Sequence, residues 1–241
     1  MHSHCLKAHV TRNGAGYPLV LFHGWGFDSQ VWNPILPMLT EHYDVYCVDL
    51  PGFGLSPFMD WSAFQCSVLN QLPETFAVLG WSLGGLVATR FAIEAPSRVT
   101  HLINLASSPH FVADSQWPGI PKENLQTFYQ RLKHDPERVL SEFMALQLPG
   151  QINLGYAPPT IEGLQAGLDC LLLWDFRMDL NRLQIPGLYL FGRLDAIIPQ
   201  KTMHVMQLQH PKFSYVMVSK AAHALFISHR DVCIASIREF L

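Results

Sequence analysis

Ser82 lies in Gly80-Trp81-Ser82-Leu83-Gly84, where a glycine stands two residues to each side of a hydroxyl. A serine at the tip of a tight strand-to-helix turn has a strained backbone, and bulky side chains at the flanking positions would block that turn. The chemistry such a serine offers is attack on a carbonyl. It needs a base to take the hydroxyl proton and an acid to orient the base. The pentapeptide by itself also occurs as a plain glycine-rich turn capping a helix, so its flanks decide. Phe76-Ala77-Val78-Leu79 before it is a continuous apolar run that predicts a buried strand. Leu86 to Ile93 after it predicts a mostly buried helix, ended before Pro96.

The partners come from the last third of the chain. Gly187-Leu188-Tyr189-Leu190-Phe191 predicts a late strand, and Asp195 follows it in Gly192-Arg193-Leu194-Asp195. An acid just past the carboxyl end of a late strand can reach a histidine loop across the top edge of a sheet. Phe213 to Val218 predicts the last strand, and His223 follows in Lys220-Ala221-Ala222-His223-Ala224, before a terminal helix beginning near Ser228. The rival base is His229, beside the helix with Asp231 nearby, where capping or surface placement is the simpler role. The rival acid is Asp49, which precedes the serine turn and opens a glycine-punctuated loop, Pro51 to Ser56; a structural role suits it better.

Attack on a carbonyl puts negative charge on its oxygen, which requires fixed donors. One is the backbone N–H of Leu83, next to the nucleophile. The other belongs to the loop after an early strand: Pro18 to Phe22 predicts that strand, and His23-Gly24-Trp25-Gly26 follows, so Trp25 supplies the second N–H. His23 is read as a residue that orients this loop.

These groups need a scaffold that brings strand ends together. Leu6 to Val10 predicts an edge strand and Asn13 to Gly16 a turn, and Tyr43 to Leu50 and Val99 to Leu105 predict further strands. Apolar residues at helical spacing between Ser29 and Leu39, interrupted by Pro34 and Pro37, and a helix from Ser62 to Leu72 lie between strands. Alternation of strand and helix predicts an α/β fold with a mostly parallel central sheet flanked by helices. The rhythm stops at about Ser107 and resumes at Gly187. Asp135-Pro136 opens one helix as cap and first-turn proline, and Ile161 to Trp174 predicts another. The chain is therefore expected to form a single domain, core 1–106 and 186–241, with a helical cap insertion over 107–185. Phe111, Trp117, Phe128, Phe143 and Phe176 in the insertion suggest an apolar pocket lining.

At 241 residues, 49% hydrophobic and 15% charged, the chain can bury a large core and disorder is excluded. A net charge of −3 gives no general attraction to nucleic acid or anionic membrane. Five cysteines with no C-x-x-C pair suit buried thiols in a reducing compartment. No run approaches the ~20 apolar residues of a membrane span, and Met1 to Lys7 has no secretory apolar stretch, so a cytoplasmic monomer is expected. Twelve histidines raise the question of metal, but none has ligand spacing; neither metal nor cofactor is expected.

With Ser82, Asp195 and His223 in that chain order, the sequence resembles the α/β-hydrolase superfamily over its whole length. More narrowly it resembles the pimeloyl-[acyl-carrier protein] methyl ester esterases of biotin biosynthesis. Leu21 to Gly26, Val48 to Gly54 and Gly80 to Ala88 are widely shared hydrolase stretches; Ala106-Ser107-Ser108-Pro109, Trp117 to Ile120, Phe143 to Gln147 and Lys220 to His229 are the more specific ones. The resemblance implies a serine carboxylesterase that releases methanol from a pimeloyl methyl ester carried by acyl carrier protein. It implies substrate contacts at Trp25, Ser82, Leu83, Phe143, Met144, Ala145, Leu146, Gln147 and His223. The family pattern also holds its acidic carrier protein with cap arginines. Here Arg138 matches, Glu142 stands in an arginine position, the cap after Gly150 is shorter, and Arg131, Lys133 and Arg138 form a smaller patch diluted by Glu137 and Glu142. The alternatives are a broad short-chain carboxylesterase, with a carbon–carbon bond hydrolase behind it, and a ligand receptor that keeps the fold without the turnover.

Overall fold

The computed structural model describes residues 6–147 and 157–241. Among these, seven strands form one sheet in the order β1-β3-β2-β4-β5-β6-β7. They are β1 (Val10–Gly14), β2 (Tyr17–Phe22), β3 (Tyr43–Val48), β4 (Phe76–Trp81), β5 (Val99–Leu105), β6 (Gly187–Gly192) and β7 (Ser214–Val218). Only β1 is antiparallel, pairing with β3, and every other neighbour is parallel. The helices are α1 (Leu36–Thr40), α2 (Trp61–Leu69), α3 (Leu83–Glu94), α4 (Lys122–His134), α5 (Pro136–Gln147), α6 (Ile161–Leu173), α7 (Arg177–Leu180), α8 (Lys201–Gln209), α9 (Leu225–Ser228) and α10 (Arg230–Phe240).

The central strands β2, β4 and β6 read as nearly continuous apolar runs because helices cover both faces of the sheet. Side chains alternate between those faces. Val20, Phe22, Val78 and Tyr189 share one buried cluster with Phe64, Phe91 and Met206. Leu19, Leu21, Leu79 and Leu190 share the other with Trp32, Ile35, Ile234 and Ile237. The chain leaves β2 for β3 on one side and returns to β4 on the other, so the carboxyl ends of β2 and β4 flank a crevice where strand order reverses, the usual ligand position in such sheets. The Trp25 loop leaves β2 and the Ser82 turn leaves β4 at that crevice.

Several boundaries differ from the sequence reading. The first strand is Val10–Gly14, not Leu6 to Val10, and Asn13 and Gly14 belong to it rather than to a turn. Its residues are polar because it is an exposed edge, whereas apolar Leu6 is half-exposed outside the sheet. Pro34 and Pro37 divide the Ser29 to Leu39 segment into a short 3-10 helix, Ser29–Trp32, capped by Asp28, and α1. The terminal helix is broken in two at His229. Among the cysteines, Cys47 and Cys233 are buried but Cys66 is exposed on α2.

Between β5 and β6 the described residues form α4 to α7, with two isolated bridges, His110 to Asp175 and Val112 to Ile120. Asp135 accepts the Arg138 N–H at the start of α5, with Pro136 in the first helical position. Phe111 and Trp117 are buried in the main core rather than lining a pocket; the Trp117 indole donates to the His110 carbonyl at 2.8 Å. The link after Gly150 lies outside the described residues. No described helix is long and apolar enough to cross a membrane.

Candidate active site

Ser82 has φ 55° and ψ −119°, a conformation L-residues rarely adopt, between the end of β4 and the first residue of α3. Packing holds that strain in place. A Cβ on Gly80 would stand 2.1 Å from the Gly84 carbonyl oxygen, and one on Gly84 would stand 2.0 Å from that of Phe22. A side chain at Gly80 would push the start of α3 off β4, and one at Gly84 would push it off β2, which explains the two glycines. Leu83 opens α3, so its N–H has no carbonyl one turn earlier in the helix to bond.

Asp195 and His223 meet above β6 and β7. Asp195 Oδ2 lies 2.8 Å from His223 Nδ1, with both side chains almost fully buried. The other carboxylate oxygen accepts the N–H groups of Ile197 and Ile198 at 2.8 and 3.0 Å. A carboxylate held on both oxygens can only accept from the imidazole, which fixes the proton on Nδ1 and turns Nε2 into the basic lone pair. That Nε2 is buried and makes no hydrogen bond. The histidine loop is itself tied to the serine turn: the Trp81 indole donates to the His223 carbonyl at 3.0 Å, and the two rings lie 5.6 Å apart. The loops after β6 and β7 are joined by Arg193 N–H to the Val218 carbonyl and Leu194 N–H to that of Ala221.

Trp25 is fully buried, and its indole donates to the Leu164 carbonyl of α6 at 2.8 Å. A Cβ on Gly167, one turn on, would stand 2.6 Å from the Trp25 ring. The inserted helices therefore hold the loop that leaves β2. His23 braces the same loop from below. Its Nδ1 donates to the Gly24 carbonyl at 2.8 Å and its Nε2 accepts the Leu50 N–H at 2.9 Å, as a neutral ring does. Burial lowers its pKa. Asp49 is equally occupied, accepting the N–H groups of Ser29 and Leu55. His229 contacts the neighbouring Ser228 hydroxyl at the break between α9 and α10.

Of the α5 residues singled out in the sequence, Phe143 packs edge-on against Trp25 at 5.0 Å, beside Phe128 at 5.4 Å. Met144 is half-buried, Ala145 and Leu146 are exposed, and buried Gln147 donates to the Phe143 carbonyl. An apolar cavity of about 160 Å³ borders Leu83 between α2, α3 and α6, lined by Phe53, Trp61, Phe64, Val87 and Trp174 among others. Its lining is scattered over four segments, and no local motif in the sequence signals it.

Residues 19–235 match the alpha/beta hydrolase family. The chain belongs to that family. The hydrolase is 50% identical over 239 residues to a pimeloyl-[acyl-carrier protein] methyl ester esterase of Legionella pneumophila (strain Corby), an alignment covering 98% of this chain and all of the relative. It is 42% identical to the protein of the same name from Pectobacterium carotovorum subsp. carotovorum (strain PC1), over 92% of each chain. Its fold matches an esterase from Exiguobacterium antarcticum with a TM-score of 0.88 at 22% identity, covering 98% of this chain and 95% of that one. A thermophilic esterase from Thermogutta terrifontis superposes with a TM-score of 0.79 at 25% identity, covering 96% and 92%.

Proposed function

We propose that this hydrolase is a serine carboxylesterase that cleaves the methyl ester of pimeloyl-acyl carrier protein in biotin synthesis, releasing methanol and pimeloyl-acyl carrier protein. The observation that carries the reading is full-length identity of 50% to an esterase of that name, joined to a strained Ser82 and a buried Asp195–His223 pair whose histidine loop is tied to the serine turn through Trp81. His223 Nε2 takes the Ser82 proton as the hydroxyl attacks the ester carbonyl, and Asp195 stabilises the imidazolium that forms. The N–H groups of Trp25 and Leu83 receive the oxyanion. Collapse of the intermediate expels methanol, which takes its proton from His223. Water, deprotonated by the same nitrogen, then frees the carboxylate and restores Ser82.

In this reading residues 107–185 cap a core made of 1–106 and 186–241, and Phe143 to Gln147 edge the approach to Trp25. The enzyme acts as a cytoplasmic monomer without metal or cofactor. The test is methanol release from the pimeloyl methyl ester of acyl carrier protein, with rescue of a biotin auxotroph lacking its methyl esterase. Wild type releases methanol and rescues, and Ser82→Ala loses at least a thousandfold in turnover and fails to rescue. A soluble wild type that hydrolyses p-nitrophenyl butyrate yet neither rescues nor releases methanol would leave the second reading, a broad short-chain carboxylesterase. What favours that alternative is Glu142, which ties up both Arg131 and Arg138 where a carrier protein would need free cations.

A further inference from the structure

Resting on Ser82 as nucleophile and Leu83 as oxyanion donor, we infer that Ser107 is a positioning residue for the oxyanion N–H, acting through the carbonyl of Ser82. The Ser107 hydroxyl, itself buried, donates to the Ser82 carbonyl oxygen at 2.7 Å. That carbonyl and the Leu83 N–H are the two ends of one planar trans peptide and point in opposite directions. Whatever fixes the carbonyl therefore aims the N–H. The Gly85 N–H reaches the same oxygen at 2.9 Å, so the carbonyl is held from two sides. Hydrogen bonds accepted by an amide oxygen also polarise its N–H, making it a stronger donor to a developing negative charge.

The surrounding backbone is built to deliver this hydroxyl. The Leu105 carbonyl, at the end of β5, accepts the Ser82 N–H at 3.0 Å, so the residues that follow β5 lie directly against the turn. Ala106 then takes a left-handed conformation, φ 44°, while its N–H bonds the Leu190 carbonyl of β6. An alanine in that region is strained, and the bend turns Ser107 under the serine turn instead of continuing the strand. A Cβ on Gly85 would stand 2.3 Å from Ser107 Oγ, so α3 leaves just the space that the hydroxyl fills. Both peptides flanking Ser82 are thus held from the end of β5, one by a main-chain bond and one by Ser107.

The test uses the full-length enzyme with Ser107→Ala and Ser107→Cys, the second keeping a γ atom in place but offering only a weak donor. Turnover of p-nitrophenyl butyrate is measured per active site titrated by a fluorophosphonate. Affinity is measured for a trifluoromethyl ketone, to whose carbonyl carbon the Ser82 oxygen adds while the serine proton passes to His223. Ser107→Ala is expected to lose about 10- to 100-fold in kcat with KM within twofold, the scale expected when an oxyanion donor is misaimed. The inhibition constant of the ketone rises by a similar factor, and Ser107→Cys falls between the two. A merely structural hydroxyl would lower the number of titrated sites or the Tm and leave turnover per site unchanged. Both variants turning over per site within twofold of wild type would overturn the inference, as would a loss confined to KM. A Ser82→Ala protein that still turns over would instead remove the nucleophile assignment beneath it, whatever the Ser107 variants do.

Discussion

At His23 the fold requires an uncharged imidazole, since one ring nitrogen donates to the Gly24 carbonyl and the other accepts from the Leu50 N–H. A proton on the accepting nitrogen would set two donors against each other inside a buried site. Burial accordingly lowers the pKa of His23 from its ordinary 6.5, and it lowers those of His101 and His210 as well. When a base has a lower pKa folded than unfolded, the unfolded chain binds the extra proton between the two values. Stability is then complete above about pH 6.5 and falls as pH drops below it, by up to about 1.4 kcal/mol per pH unit for each such proton. Thermal melts between pH 7.5 and 5 are expected to show this loss, and His23→Gln to show a shallower slope on a lower baseline. An unchanged slope in that variant would mean His23 takes its proton within the fold. The sequence marked Ser82, Asp195 and His223 because each follows the end of a strand that its own residues make legible. It did not mark the bond from Ser107 to the Ser82 carbonyl, because nothing in Ala106-Ser107-Ser108-Pro109 distinguishes a hydroxyl aimed at a neighbouring turn from one facing solvent.

Among the elements, every strand after β1 was read from sequence to within two residues at each end. Val99 to Leu105 is β5 to the residue. The edge strand β1 was misplaced because an edge is free to be polar. Helix α8 left no clear stripe, as only Thr202 and Met206 of its nine residues are buried. Nor is the joint between the inserted helices and the core a pattern along the chain. The Arg90 guanidinium, on α3, lies 4.2 Å from the Trp61 ring centroid and 4.7 Å from that of Trp174, and its Nε bonds Glu94 at 2.7 Å. Burial tends to raise the Glu94 pKa, but the bonds from Arg90, Trp61 and Gln65 outweigh it and the carboxylate stays ionised below its usual range. One cation thus binds α2, α3 and the residue that ends α6. Replacing Arg90 with methionine keeps the aliphatic stem and removes the charge, at an expected cost of about 1–2 kcal/mol for two aromatic contacts on a partly desolvated cation. Urea unfolding reads this as a lower midpoint with unchanged slope. Arg90→Lys recovers only part, because an ammonium has no planar face to stack on an indole.

For the molecule as a whole, the open question is how a chain of net charge −3 would receive an acidic carrier protein. On helices α4 and α5, Arg131 and Arg138 both reach Glu142, the latter at 2.9 Å, while the Lys133 ammonium lies over the Tyr129 ring. All of these groups are on the surface, so their mutual bonds contribute little to stability and their worth is in the field they present. Two of the positive charges face a neutralising carboxylate that a docking site has no use for. Glu142→Gln removes that carboxylate and frees both guanidinium groups without touching Ser82, Asp195 or His223. If the carrier docks here, KM for its pimeloyl methyl ester falls severalfold at low ionic strength while kcat holds. The gain fades as salt shortens the screening length from about 10 Å at 0.1 M toward a few ångströms at 1 M. Hydrolysis of p-nitrophenyl butyrate, which carries no charge to be steered, stays the same in both proteins. A Glu142→Gln enzyme whose KM for the carrier-bound ester does not move at any salt concentration would place the carrier on another face, and a charge reversal at Arg138 that also left it unmoved would exclude the α4–α5 surface altogether.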